Sequence, residues 1–183
     1  MATPKILFIV GSLRKGSFNH IAAEEAAKAL AGKAEVSFLD YTDVPFYNQD
    51  TEFPAPEAVN RVREAVKAAD GVWVVSAEYN GSYPGSLKNL FDWLGRTTDP
   101  TFQNMDSVIT GKKFALSSVA GGMAGANVRA KLTELLGYPG EVLEQQAGIV
   151  LPGEAFAAGQ WTPSDKDKAD LAAEADAFVK FLA

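Results

Sequence analysis

A short apolar run at residues 6–10 leads directly into the polar segment G-S-L-R-K-G-S-F-N at residues 11–19. An apolar run of this length that ends at a glycine is typical of a buried parallel strand. Gly11 and Gly16 allow the backbone to turn tightly, and Ser17 is placed to cap a following helix. The pattern predicts a strand, a tight loop and a helix, the unit from which parallel sheets are built.

The same loop has the composition of an anion site. Unpaired N–H groups at a helix start attract anions, and Ser12, Arg14, Ser17 and Asn19 could add side-chain donors. A Walker loop needs a lysine after its second glycine, and the G-x-G-x-x-G fingerprint of dinucleotide sites is absent. An arginine can hold a single terminal phosphate through two parallel hydrogen bonds. The alternative is an ordinary strand-to-helix turn with a surface arginine.

Apolar, β-rich runs alternate with helical periodicity along the rest of the chain. The predicted strands are residues 5–11, 35–39, 71–76, 113–119 and 143–150. The predicted helices are residues 18–30, 57–69 and 86–94, and two more apolar helical stripes lie at residues 128–136 and 171–182. This alternation predicts an α/β protein: one flavodoxin-like, doubly wound domain over residues 1–183, with a five-stranded parallel sheet and helices on both faces.

Composition excludes several classes of function. The chain has 183 residues and a formal net charge of −6, which opposes a nucleic-acid surface. It contains no cysteine, so disulfides and thiolate chemistry are excluded, and the single histidine, His20, is expected at the surface. The apolar runs are too short for a signal-peptide core or for a membrane span of roughly 20 residues. We expect a cytoplasmic protein with no metal site and no membrane or nucleic-acid partner.

In a doubly wound sheet, ligands bind beyond the carboxyl ends of the strands, where the loops after strands one, three and four converge. The loop after strand three contains E-Y-N-G-S-Y-P-G-S-L-K-N at residues 78–89, whose glycines and tyrosines suit a flat heteroaromatic ring. The loop after strand four contains S-S-V-A-G-G-M-A-G at residues 117–125. The alternatives are a tight turn with packed tyrosines and a flexible connector.

Together, the motifs at residues 11–19 and 78–89 resemble those of the NAD(P)H-dependent FMN reductases, a family that includes quinone, azo-dye and chromate reductases. The resemblance implies a flavodoxin-like protomer that holds FMN non-covalently and uses NADPH or NADH as co-substrate. The acceptor would be a quinone, azo, nitroaromatic, flavin or metal-oxyanion compound. No catalytic side chain is predicted, because the cofactor carries the redox chemistry.

The resemblance also implies which residues hold FMN. Those around its phosphate would be Ser12, Arg14, Ser17, Phe18 and Asn19. Those flanking the isoalloxazine ring would be Glu78, Tyr79, Asn80 and Gly81. Those facing the other side of the ring would be Ser117, Ser118, Gly121 and Gly122.

The family further implies a homodimer or homotetramer, with the helix through Phe91 and Trp93 as a candidate interface. The connections at residues 41–56 and 97–112 are longer than usual. We expect at least some of their aromatic residues, Tyr47, Phe53 and Phe102, to be covered by a partner subunit or by the flavin pocket. Two other functions stay open: a flavodoxin-type electron carrier without nicotinamide oxidation, and a phosphate-ligand sensor or structural subunit.

Overall fold

A parallel sheet forms the centre of the computed structural model, which describes residues 3–183. Its first four strands are β1 (Lys5–Val10), β2 (Glu35–Phe38), β3 (Gly71–Ser76) and β4 (Lys113–Ala120). They lie in the order β2-β1-β3-β4, and every pair is parallel. The chain winds outward in one direction from β1 to β2 and in the other from β3 to β4. The predicted doubly wound, flavodoxin-like sheet is therefore confirmed.

Helices cover both faces of the sheet. The face that carries Phe8 and Trp73 packs against α1 (Phe18–Ala29) and α6 (Asp165–Leu182). The opposite face packs against α2 (Glu57–Ala68), α3 (Gly85–Leu94) and α4 (Ala126–Gly137). Every residue of β3 is buried, as expected for a central strand with helices on both sides. No helix within residues 3–183 is long and apolar enough to cross a membrane.

The fifth strand differs from the prediction. Instead of one run over residues 143–150, two short strands occupy the fifth position, β5 (Glu141–Val142) beside the start of β4 and β6 (Gly148–Val150) beside its end. The carboxylate of Glu174 on α6 lies at the interruption, where its Oε2 accepts hydrogen bonds of 2.7 Å from the Ala147 N–H and of 2.7 Å from the Ser117 hydroxyl. A short helix, α5 (Gly153–Ala158), follows β6.

Three aromatic residues of the long connections pack against other aromatic rings of the chain. Tyr47 packs edge-on against Trp93, with ring centroids 4.9 Å apart, and Phe53 packs against Phe102 at 5.7 Å. Phe102 nevertheless keeps 44% of its surface exposed, and the covering of these aromatics by a partner subunit or by the flavin pocket stays a prediction. Phe91 and Trp93 are themselves buried in the core, and an interface on their helix stays a prediction.

Candidate functional site

A cleft of about 240 Å³ lies at the carboxyl edge of the sheet, next to the point between β1 and β3 where the winding reverses. The three loops that the sequence predicts to converge all reach it, together with the segment after β6. We call it the carboxyl-edge cleft. It is lined by Ser12, Arg14, Ser17, Phe18, Asn19, Ala77, Glu78, Tyr79, Val119, Ala120, Gly121, Leu151 and Phe156.

The start of α1 leaves several donors unpaired at the cleft. The first N–H groups of a helix have no partner within it, and those of Phe18 and Asn19 find no acceptor elsewhere among residues 3–183. Ser17 occupies the N-cap position, but its hydroxyl makes no capping hydrogen bond, contrary to the sequence-based prediction. This hydroxyl lines the cleft instead. The helix start therefore presents backbone and hydroxyl donors with the positive end of a helix dipole.

Arg14 adds a cation at the same end of the cleft. Its guanidinium carbon lies 4.5 Å from the centroid of the Phe18 ring, a cation–π contact that orients the side chain. Its only hydrogen bond in the described chain is a long one, 3.3 Å, to the Lys15 carbonyl. Most of its N–H groups remain available for an anion, which is the arrangement that a phosphate needs.

Asn19 is used differently from the prediction. Its side-chain Nδ2 donates to the Val119 carbonyl at 3.0 Å, and its Oδ1 accepts from the Val119 N–H at 2.8 Å. The amide therefore clamps the start of α1 to the end of β4 instead of acting as a free phosphate donor. Its backbone N–H remains free for a ligand.

The loop after β3, the second of the three loops, begins with a two-residue hairpin turn. Tyr79 and Ser82 exchange backbone hydrogen bonds of 2.9 and 3.0 Å, with Asn80 and Gly81 at positive φ between them. This is the type I′ turn that the Asn-Gly pair in the sequence favours. Asn80 and Gly81 form the tip and do not line the cleft, whereas Tyr79 does. The Tyr79 hydroxyl lies 3.4 Å from Ser12 Oγ and so connects the first two loops.

Glu78 lines the cleft, but its carboxylate is engaged by α4. Oε1 accepts from the Asn127 side chain at 3.1 Å, and Oε2 accepts from the Val128 N–H at 3.1 Å. The residue before this helix, Gly125, provides no side-chain cap. Glu78 thus caps α4 from a distant loop, which fixes the second loop against the third.

Ser117 and Ser118 do not line the cleft; they are 1% and 0% exposed. The Ser117 hydroxyl faces the α6 side, where it accepts from Trp73 Nε1 at 2.8 Å. The Ser118 hydroxyl faces the α4 side and donates to the Ala124 carbonyl at 2.7 Å. Successive strand residues point to opposite faces of a sheet, so both are directed under helices and not towards its edge. Of the two predicted glycines, Gly121 lines the cleft and Gly122 does not.

Two apolar cleft residues, Leu151 and Phe156, were missed by the sequence analysis. Leu151 follows β6, and Phe156 lies on α5 with 73% of its surface exposed. The end of a fifth parallel strand reaches the same edge as the others, so the Pro152-Gly153 pair after it could have indicated a fourth contributing segment. Within residues 3–183, no group of three or more His, Cys, Asp or Glu side chains is placed to hold a metal ion.

The cleft fits a flat aromatic ligand with a phosphate at one end. Arg14, the Ser17 hydroxyl and the amides at the start of α1 form the end that can bind an anion, while Tyr79 and Phe156 line the remainder. Gly121 allows a ligand to approach the backbone closely. This site at the switch point of a doubly wound sheet defines the flavodoxin-like class of nucleotide-binding proteins.

Comparison with known proteins narrows the class. Residues 4–162 match the NADPH-dependent FMN reductase family, and the chain belongs to it. The chain is 36% identical over 137 residues to a quinone reductase of Escherichia coli K12, covering 72% of this chain and 69% of that protein. It is 38% identical over 108 residues to an NAD(P)H-dependent FMN reductase of Pseudomonas aeruginosa, an alignment that spans 58% of each protein.

Solved structures agree with this assignment. The flavoenzyme NAD(P)H:(acceptor) oxidoreductase FerB of Paracoccus denitrificans superposes with a TM-score of 0.83 at 32% identity, covering 98% of this chain and 97% of that one. An archaeal flavodoxin superposes with a TM-score of 0.63 at 14% identity, which shows a shared fold alone.

Proposed function

We propose that this protein binds FMN non-covalently in the carboxyl-edge cleft, oxidises NADPH or NADH with it, and reduces a small-molecule acceptor. The observation that carries the proposal is the set of unused donors at the start of α1, beside Arg14 and at the switch point of the sheet. Membership of the FMN reductase family supports the same cofactor. FMN supplies the hydride and electron chemistry when it is bound.

The chain's own residues would bind and orient the cofactor. Arg14, the Ser17 hydroxyl and the N–H groups of Phe18 and Asn19 hold the phosphate. Tyr79 and Phe156 shield the ring from water, and the backbone at Gly121 approaches it closely. Glu78 holds the second loop against the start of α4, which follows the third loop. These residues position the reaction and exclude water, so no side-chain acid, base or nucleophile is needed.

The acceptor that we propose is a quinone. The Escherichia coli relative is a quinone reductase, and a Burkholderia relative that is 39% identical over 92 residues is a 2-hydroxy-1,4-benzoquinone reductase. The exposed Phe156 at the cleft offers an apolar surface to a flat ring of this kind. The cytoplasm supplies reduced nicotinamide, and we propose that compartment for the reaction.

We further propose that the protein is a homodimer joined across a groove between the ends of α3 and α4. The groove has a volume of about 580 Å³ and is lined by Phe91, Ile109 and Leu135. Met105 and Tyr138 also line it and are 65% and 97% exposed. Apolar side chains this exposed around one groove are typical of surfaces that a second subunit covers.

The experiment is an anaerobic reduction. Purified protein is loaded with FMN, unbound flavin is removed, and the visible flavin absorbance is followed after adding NADPH or NADH, with ligand-free protein as the blank. We expect retention of FMN and bleaching by at least one donor, followed by recovery of the absorbance when a benzoquinone is added. Retained flavin that stays oxidised with both donors would favour the electron-carrier function. Failure to retain flavin would overturn the proposal.

A further inference from the structure

Arg129 is the fourth residue of α4. Its side chain contacts the connection between β4 and α4, residues 120–125, which we call the third loop. Its Nη1 donates to the Ser118 hydroxyl at 2.5 Å and to the Ala124 carbonyl at 2.5 Å. Burial lowers the pKa of Arg129, and the nearby carboxylates of Glu174 and Glu78 act in the opposite direction. Burying a charged guanidinium costs free energy, so the contacts that Arg129 makes near the cleft must compensate for that cost.

Two glycines make room for this arrangement. A Cβ atom on Gly148 would lie 2.3 Å from Nη1 of Arg129, and a Cβ atom on Gly125 would lie 2.3 Å from Ser118 Oγ. Gly148 pairs with Ser118 across β4 and β6, so the guanidinium occupies the space that a side chain at position 148 would fill. Gly125 also has a φ of +70°. A side chain at position 148 would displace the guanidinium, whereas glycine at position 125 is favoured by both its positive φ and the contact with Ser118.

The carbonyl that Arg129 holds belongs to a strained residue. Ala124 has a φ of +50°, in the left-handed region that residues with a Cβ atom adopt only when their surroundings impose it. Its N–H donates to the Gly121 carbonyl at 2.7 Å, which closes the loop, and its carbonyl accepts from both Ser118 and Arg129. The first part of this loop, Ala120 and Gly121, lines the carboxyl-edge cleft.

We infer that Arg129 is a positioning residue that latches the third loop in this strained conformation and so preorganises Ala120 and Gly121 for the cofactor. The cofactor part of the inference rests on the proposed FMN site. The latch itself is a property of the ligand-free protein. Preorganisation strengthens binding because the ligand no longer has to select a minor conformation of the loop.

The test uses Arg129→Gln. Hydrogen exchange of the amides in residues 120–125 is measured on the ligand-free protein, and the Kd for FMN is measured by fluorescence quenching. We expect faster exchange in the loop. If the competent conformation falls to about a tenth of the population, the Kd for FMN rises about tenfold. Should Arg129→Gln fail to fold, Gly148→Ala displaces the guanidinium without removing it and carries the same two expectations, with Gly153→Ala as its control.

A rescue variant separates positioning from stability. Adding Ala124→Gly to Arg129→Gln removes the cost of the left-handed conformation, so we expect it to recover part of the FMN affinity. Arg63→Gln is the control, because Arg63 is an arginine more deeply buried than Arg129 and lies on α2, away from the cleft. It should lower the melting temperature while leaving loop exchange and the Kd for FMN unchanged.

Each other outcome counts against the inference. Loop exchange and FMN affinity that match the wild type in Arg129→Gln, with only a lower melting temperature, would show that Arg129 merely stabilises the fold. An absence of recovery on adding Ala124→Gly would overturn the role of strain. If the wild type binds no FMN, the proposed function and the cofactor part fail together, and the exchange data on ligand-free protein still decide the latch.

Discussion

At the scale of single residues, the structure divides the predicted site into side chains with unused donors and side chains that the protein itself has engaged. Arg14 and Ser17 keep donors for a ligand, whereas the Asn19 amide is taken by Val119. The sequence shows which groups are available as donors. It does not show which acceptor each group meets, since Val119 lies 100 positions away from Asn19.

The phosphate site is tested by Arg14→Ala. The substitution removes a charge-assisted contact with the FMN phosphate, so we expect binding to weaken by about 1.5–3 kcal/mol. The Kd for FMN is measured by quenching of flavin fluorescence. Lys15→Ala is the control, because Lys15 is an exposed cation in the same loop that does not line the cleft. Equal FMN affinity in Arg14→Ala and the wild type would contradict the assignment.

At the scale of elements, local patterns predicted β1 to β4 to within one residue at each end, because continuous apolar runs bounded by turn residues mark buried strands. The prediction of one continuous fifth strand was wrong, and the residue that bonds at its interruption, Glu174, lies 27 positions beyond Ala147. The side chain is fully buried, with Oε1 unpartnered among the described residues. Glu174 thus joins α6 to β4, through Ser117, and to the residue before β6, Ala147.

The consequence is a pH-dependent stability. Burial raises the pKa of Glu174 to about 8 from its ordinary value of 4.5, so between these values the folded protein keeps a proton that the unfolded chain releases. The stabilisation is therefore complete below pH 4.5 and is lost as the pH rises through 8. A glutamine keeps an uncharged side chain that can still accept the two hydrogen bonds at all pH values.

We expect the free energy of unfolding of the wild type to fall with pH across this range by up to about 1.4 kcal/mol per pH unit, and that of Glu174→Gln to fall less. Urea denaturation at several pH values between 5 and 9 measures both. Glu144→Gln, which alters an exposed carboxylate, should follow the wild-type profile. Parallel profiles for the wild type and Glu174→Gln would show that Glu174 titrates alike in both states.

At the scale of the whole molecule, two apolar cores on either side of one sheet take in about half of the aromatic residues. Tyr138 is not among them, since it is almost fully exposed beside the groove between α3 and α4. The family resemblance indicated the helix through Phe91 and Trp93 as a candidate interface, and these two side chains of the helix are buried in the core. One helix can have core residues on one face and interface residues on another, and the tertiary packing decides which residues belong to each face.

The proposed dimer is tested by Tyr138→Glu. A charge placed in an apolar contact is costly to desolvate, so we expect the variant to be monomeric at concentrations where the wild type is a dimer. Light scattering coupled to size-exclusion chromatography measures the mass. The control is Ala31→Glu on the exposed turn after α1, which should leave the mass unchanged. A wild-type protein that is monomeric at micromolar concentration would contradict the dimer.

The sequence by itself determined the alternation of strands and helices, the doubly wound class, the polar strand-to-helix loop at residues 11–19 and the family. These features follow from hydrophobic periodicity and short motifs, which act over neighbouring residues. Only the tertiary structure decided that Asn19 and Glu78 are clamps, that the fifth strand is interrupted, and that Arg129 holds a strained loop. The physical reason is competition for partners: a polar group bonds to whatever the fold brings within about 3 Å, and local sequence contains no record of that partner.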